Sequence, residues 1–576
     1  MKRIQKKNKI SVCLLLLCFL FSQIVNATVI DKNAPYFGDY LFVYNPTDAN
    51  VTLSPSVSPK LSHSMLFDMQ CEQEPAEDVQ VSYTPDYSHL DLPNHLQEAP
   101  KVNRLDAPIL YSANSIVGRN YTYLVCNMTT GVYYNQKFIC QATGQYCNIL
   151  VEPNSSGSAK ISRADAQKLA TEFDSHIQPF MVENFGNYYT YMGTDYSGKY
   201  LQTSQNKKMD ILLYDIQDGY NGTTNRSYVG GYTDLTDFIG ENLGGNGNEC
   251  GILHIDIYPL MGTGATPNVE KCYSTIVHEF QHQINYSDSL YDFFRGATEY
   301  YINDAWWNEA FSMAAEHLYT GEPLAYRINS YNQTNNSTPL RNGLVLGYLD
   351  YSENNDNVAS NYSTSYLFGQ YLRCQTKHLA GGGNQIYRTV LEQTGTDYTT
   401  ILAGLASIGY EDTPETFEEL YRNFRMATIL KKPTGPYGFM GEDAFSGLID
   451  NAYTGTANLT LKPGAAVILK YPENYIPTNN DLSYTAFSER GDFSYEINAV
   501  SDTVVNVTHG ILPQSELRML AAGYDGDMKL LGTDEVTISP NQENYDYTLP
   551  KNSVIRKFFL LASDGSLKPL SVAEVH

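Results

Sequence analysis

The 576-residue chain is short of positive charge. Its 38 Lys and Arg stand against 63 Asp and Glu, a net of −25. Such a surface repels phosphate backbones and anionic headgroups, which excludes nucleic acid and anionic membranes as partners. Apolar runs of spanning length are missing beyond the N-terminus, so no later segment is a transmembrane candidate. The nine cysteines include no CxxC pair and no Cys/His spacing of zinc-finger type, which excludes a structural zinc module. The many Asp and Asn form no EF-hand loop, so accessory calcium is not indicated by a motif. No internal repeat is evident. Against these absences stand 47 tyrosines and a charged fraction of only 18%, a composition that fits an extracellular protein rich in β-structure.

The N-terminus reads as a secretory signal over residues 1–27. Lys2, Arg3, Lys6, Lys7 and Lys9 precede the largely apolar Ile10–Val25, and Val25-Asn26-Ala27 offers a small-residue cleavage site. Leu17 before Cys18 is too bulky for lipoprotein processing. Removing the signal and its five basic residues takes the net charge to −30. The expected location is therefore extracellular or in the cell envelope. Seven cysteines remain after cleavage: Cys71, Cys126, Cys140, Cys147, Cys250, Cys272 and Cys374. Export permits disulfides, and Cys126, Cys140 and Cys147 are close enough in sequence for one bridge.

The chemistry is concentrated in Thr266–Asp288, which contains His278-Glu279-Phe280-Gln281-His282. Thr266 can cap a helix there, and Pro267 suits its first turn. Val269, Cys272, Tyr273, Ile276, Val277, Phe280 and Ile284 give the helix one apolar face. Cys272 on that face is expected to be a buried, inert thiol and not a ligand. His278 and His282 then lie one turn apart and can chelate one Zn²⁺, with Glu279 within reach of a metal-bound water. Downstream, Asp304–Leu318 reads as a second helix with Glu309 in its first turns. Glu309 would complete a three-ligand site and leave a fourth position open, the mark of catalytic zinc.

Together the HExxH and the Asn308-Glu309-Ala310 sequence resemble the gluzincin metallopeptidases. Within that clan, HEFQHQIN followed by WWNEAFSMAAEHL looks most like the hyicolysin family of secreted metalloendopeptidases, over about residues 160–430. The resemblance implies His278, His282 and Glu309 as zinc ligands and Glu279 as general base. It also implies a hydrogen-bond donor from the far side of the cleft, for which Tyr362 and Tyr366 are candidates and His317 another. Thermolysin-like members carry an aspartate four residues after the glutamate ligand to support a ligating histidine. Met313 occupies that position here, and Glu316, on the same helix face, is the candidate substitute.

The expected fold is multidomain α+β. A zincin-like core (158–440), with a mixed-sheet subdomain and a helical one, lies between an N-terminal all-β domain (28–157) and a C-terminal β-sandwich (441–576). Tyr40–Tyr44, Ala107–Tyr111, Asn120–Cys126 and Phe138–Glu152 supply the first domain's strands, with 71–105 as an exposed linker. Gly251–Tyr258 is the expected edge strand beside the active-site helix, where extended substrate would pair. His254 on it reads as a packing residue. The function that follows is zinc-dependent hydrolysis of internal peptide bonds in proteins. The alternatives are a zinc exopeptidase, for which no amine-capturing Gly-Ala-Met-Glu-Asn-like sequence is present, and a surface-binding or adhesion protein with a vestigial protease core.

Overall fold

A computed structural model of the chain describes residues 40–54, 115–191, 208–238, 250–294, 305–333, 358–453, 458–470 and 479–487, apart from single-residue gaps, plus Asn248, short strands elsewhere and most strands of 495–575. The expected signal sequence up to residue 26, Cys71, the expected strand at 107–111, Asp304 and most of 71–105 lie outside the described residues. The chain divides into two compact units, one built from residues 66–331 and 346–417, the other from the remainder.

The unit carrying the HExxH sequence is built on a six-stranded mixed sheet. Its strands are β1 (Asn120–Asn127), β2 (Val132–Thr143), β3 (Cys147–Val151), β4 (Met209–Tyr214), β5 (Gly231–Tyr232) and β6 (Ile252–Asp256). They lie in the order β5-β6-β4-β3-β2-β1. β3, β4 and β6 run parallel, with Leu150 beside Leu212 and Leu212 beside His254. Every residue of these three strands is buried, as expected of parallel strands covered on both faces. Two sequence expectations change here. Residues 120–151, grouped by sequence with an N-terminal β unit, form half of this sheet instead. Cys147-Asn-Ile-Leu-Val151 is buried on both faces and takes β4 as its parallel neighbour. Gly251–Tyr258 is not the edge either. β6 is interior, and the edge is the two-residue β5, antiparallel to it.

Helices cover the sheet. The first of them is α1 (Arg163–Glu172), continued by a π-turn and α2 (Gln178–Phe185), with Ser162 accepting from the Asp165 amide as N-cap. The motif helix α3 spans Tyr273–Phe294. Its entry differs from expectation: Asn268, not Thr266, accepts the first amide, and a 3₁₀ turn (Val269–Cys272) precedes the α-helix. Phe280 stacks on Phe173 and meets Tyr188 edge-on, at centroid distances of 5.4 and 4.7 Å. α4 (Ala305–Thr320) and α5 (Ala325–Gln333) follow, then α6 (Val358–Thr376), α7 (Ile386–Leu391) and α8 (Tyr398–Ser407). Trp306 and Phe311 bind α4 into this layer through edge contacts with Phe368 and Tyr387. α4 and α6 approach closely at Gly369, where a Cβ would sit 2.8 Å from the Ala310 carbonyl oxygen.

In the other unit, Tyr40–Tyr44 lies between Ala466–Lys470 and Ser483–Phe487, antiparallel to both. Sequence assigned it to an N-terminal domain; its unbroken apolar run suits a central strand, and its partners come from the far end of the chain. Further C-terminal strands form a three-stranded sheet (Tyr495–Ala499, Val504–His509, Asn544–Thr548) and a second one led by Leu517–Tyr524, Leu530–Ile538 and Ile555–Leu561. Among the described residues no helix is long and apolar enough to cross a membrane. Cys126, Cys140, Cys147, Cys250, Cys272 and Cys374 are buried thiols. The suggested bridge among the first three is absent because register sets Cys126 opposite Tyr133 and Cys140 opposite Leu150.

Candidate metal centre

Helical spacing puts His278 and His282 on one face of α3, and α4 brings Glu309 to the same point. Among the described residues these three form the one group whose ligand atoms all lie within 4.8 Å of one another. All three side chains are buried. The two Nε2 atoms are 3.2 Å apart. Glu309 Oε2 lies 3.3 Å from His278 Nε2, and Oε1 lies 3.7 Å from His282 Nε2.

The outer ring atoms decide what these contacts are. His278 Nδ1 lies 2.8 Å from Glu316 Oε1, and His282 Nδ1 lies 3.0 Å from Asn308 Oδ1. Both partners are acceptors, so each Nδ1 carries the hydrogen and each Nε2 presents a lone pair. Two lone pairs and a carboxylate therefore converge, and Glu309 Oε2 has no hydrogen-bond partner. Such a cluster is repulsive without positive charge among the three, whether a proton or a metal cation. In the polypeptide alone burial lowers His278, but its hydrogen bonds to Glu309 and Glu316 outweigh that and hold it well above its ordinary value. Ligand bonds of about 2.0–2.1 Å in tetrahedral geometry give edges of roughly 3.3–3.4 Å, close to the spacings observed. The charge agrees. Buried Glu279, Glu309 and Glu316 against the guanidinium of Arg327 leave two negative charges, matching a divalent ion. The residues present fit a metal.

Burial pushes His282 down to about 4, which keeps its imidazole neutral and able to ligate. For the polypeptide alone, burial pushes Glu279 up to about 8, against the pull of His278 and with Glu309 adding to the rise. A dication beside it acts in the opposite direction. Thr233 Oγ1 donates to the Glu279 carbonyl at 2.9 Å and lies 3.4 Å from Glu279 Oε2. This contact depends on β5 passing close to α3. A Cβ on Gly231 would meet the His254 carbonyl oxygen at 2.9 Å and Glu279 Cγ at 3.0 Å.

Of the other sequence candidates, Glu316 sits against His278 as described, while Met313 is buried. Tyr362 brings its hydroxyl to 3.4 Å from Glu309 Oε1. Tyr366 points elsewhere. Its hydroxyl lies 2.8 Å from His317 Nδ1 and accepts the Leu324 amide at 3.1 Å, which engages His317 as well. His254 is buried, with Nε2 2.8 Å from Asp237 Oδ2 and its ring stacked on Tyr232. Cys272 is buried and its thiol is raised by burial, as an inert thiol should be. Sequence reasoning missed Thr233, Asn308 as a histidine partner, Ser312 and Arg327. Ser312, one turn after Glu309, lies 3.2 Å from His282 Nδ1 and donates to Gln281. Helical periodicity from Glu309 could have found it; nothing in the sequence marks Thr233 or Arg327.

No protein-family model matches the chain. The neutral metalloprotease ShpI of Staphylococcus hyicus is 32% identical to it over 330 residues, which cover 57% of this chain and 67% of that protein.

Proposed function

The chain belongs to the hyicolysin type of zinc metallopeptidases, and from that premise we propose that it is an exported endopeptidase cutting internal peptide bonds of protein substrates. The observation that carries the reading is the convergence of the His278 and His282 Nε2 lone pairs with the Glu309 carboxylate, with Glu279 buried beside them. His278, His282 and Glu309 would hold one zinc ion. When bound, zinc supplies Lewis acidity toward the scissile carbonyl and toward the attacking water.

The chain's own residues do the rest. Glu316 and Asn308 fix the two imidazoles as Nε2 ligands. Glu279 is the general base: a carboxylate oxygen accepts the proton of the attacking water and passes it to the leaving amine. Thr233, the residue after the edge strand, anchors Glu279 by donating to its backbone carbonyl, with its hydroxyl 3.4 Å from the carboxylate. Tyr362 is the candidate donor to the oxyanion that develops on the scissile carbonyl. Among the described residues β5 is the outer strand of the sheet, and it runs past Glu279. Because the Gly230 carbonyl accepts from Asp256 on the inner side, strand alternation turns the Gly231 amide and carbonyl outward, where extended substrate can pair.

The test is digestion of a peptide library by the mature chain (residues 28–576), with Glu279→Gln alongside and products read by mass spectrometry. Internal cleavages in the wild type, lost by orders of magnitude in a variant that keeps its zinc, are expected. Equal cleavage by the variant would refute the role of Glu279, and terminal trimming alone would replace the endopeptidase with an exopeptidase.

A further inference from the structure

We propose that Arg327 is a positioning residue for the hydrolysis and acts through the phenol of Tyr362; the inference rests on the hydrolase reading above. Arg327 opens α5 and is only 6% exposed, and its Nε has no hydrogen-bond partner. A buried guanidinium is costly unless something else satisfies it. Its Cζ lies 4.7 Å from the ring centroid of Tyr362 and 4.8 Å from that of Tyr326, so two aromatic faces receive the charge. The carboxylates of Glu316 and Glu309 favour it through space.

The two rings are not equivalent. Tyr326 is half exposed, whereas Tyr362 is 1% exposed and its hydroxyl reaches toward Glu309 Oε1. Tyr362 is therefore held between a cation on its face and a ligand carboxylate at its hydroxyl. The cation fixes the ring plane and draws electron density from it, which makes the O–H a stronger donor. The contact to Glu309 is long, at 3.4 Å, so little is lost when the hydroxyl turns to a developing oxyanion.

The experiment compares Arg327→Met, Arg327→Lys, Tyr362→Phe and the Arg327→Met/Tyr362→Phe double variant as zinc-loaded mature chains. Each is assayed on a peptide substrate and titrated with two peptides of the same sequence, one phosphinic, carrying a tetrahedral oxyanion, and one carrying a thiol. Arg327→Met should keep its zinc stoichiometry, lose about 10-fold to 100-fold in kcat with little change in KM, and weaken on the phosphinic peptide alone. Lysine should recover part of the loss, since its ammonium can still face the ring. In the Tyr362→Phe background, Arg327→Met should cost less than about twofold. A full Arg327→Met penalty in that background, or equal weakening toward the thiol peptide, would overturn the proposal. Should Arg327→Met fail to fold, Arg327→Lys with and without Tyr362→Phe makes the same comparison. A wild type that neither cleaves nor binds either peptide would sink the hydrolase reading itself, an outcome distinct from an active enzyme with additive effects.

Discussion

Replacing Glu316 by Leu tests whether the helix-borne carboxylate behind His278 is part of the metal centre. Its Oε1 stands 2.8 Å from Nδ1, and the residue is 8% exposed, so the contact is short and shielded from water. Leucine keeps the volume and removes two things. The first is the acceptor that keeps the hydrogen on Nδ1 and the lone pair on Nε2. The second is one of the three carboxylates that make the site two charges negative. Loss of an outer partner of a ligating histidine typically weakens metal binding about 10-fold to 100-fold, or roughly 1.4–2.8 kcal/mol. Glu316→Gln separates the contributions, because its amide oxygen still accepts from Nδ1 while the charge is gone. The expected order of zinc affinity is wild type, then Gln, then Leu, measured by competition against a chromophoric chelator at fixed pH. Leucine binding zinc as tightly as wild type would refute the reasoning. Gln and Leu equally weakened would reduce it to charge alone.

Two further perturbations read the packing and the buried charge. Gly369→Ala should force α6 away from α4, because its Cβ would stand 2.8 Å from the Ala310 carbonyl oxygen. Overpacking of this kind costs about 1–3 kcal/mol, and Glu309 is the next residue along, so both thermal stability and zinc affinity should fall; an unchanged Tm would refute the close approach. Burial pushes Asp256 up to about 8 from an ordinary carboxylate value, against the amides of Leu260 and Ile216, which favour its charged form. Its ionisation therefore opposes folding: stability is highest below the unfolded carboxylate pKa and is lost as pH rises through about 8. Asp256→Asn, which cannot ionise, should lose less stability than wild type between pH 5 and pH 9. Parallel stability curves for the two proteins would refute it.

The parts of the centre legible in the sequence are those that helical periodicity places. His278 and His282 are one turn apart, and Glu316 is two turns from Glu309, so a helix assignment alone puts each on its face. Thr233 and Arg327 carry no such signal. Thr233 follows a strand of two residues, too short for any alternation to show, and it matters only because Gly231 lets that strand touch α3. Arg327 looks like an ordinary surface arginine, and its burial follows from rings at positions 326 and 362 that only the fold brings together. The sheet was misgrouped for a related reason. Alternation identifies strands such as Asn120–Asn127, but partners in a parallel sheet are remote. Leu150, Leu212 and His254 lie side by side across more than a hundred residues of chain.

These observations bear on why the edge strand is so short. β5 pairs with β6 through two residues and then leaves the sheet, carrying Thr233 onto Glu279. A longer regular strand would keep the ladder but would carry residue 233 along the sheet edge, away from the helix. Breaking the strand places a hydroxyl on the Glu279 backbone carbonyl instead, 3.4 Å from its carboxylate, and glycine at 231 permits the approach. On the opposite side, Glu316 and Asn308 hold the rings of His278 and His282, and Tyr362 faces Glu309. Each of these side chains thus meets a partner outside the group of His278, His282 and Glu309, which fixes the direction of the two rings. Outer hydrogen bonds of this kind accompany ligating histidines in storage and hydrolytic sites alike, so the hydrolytic reading proposed above rests on Glu279 and not on them.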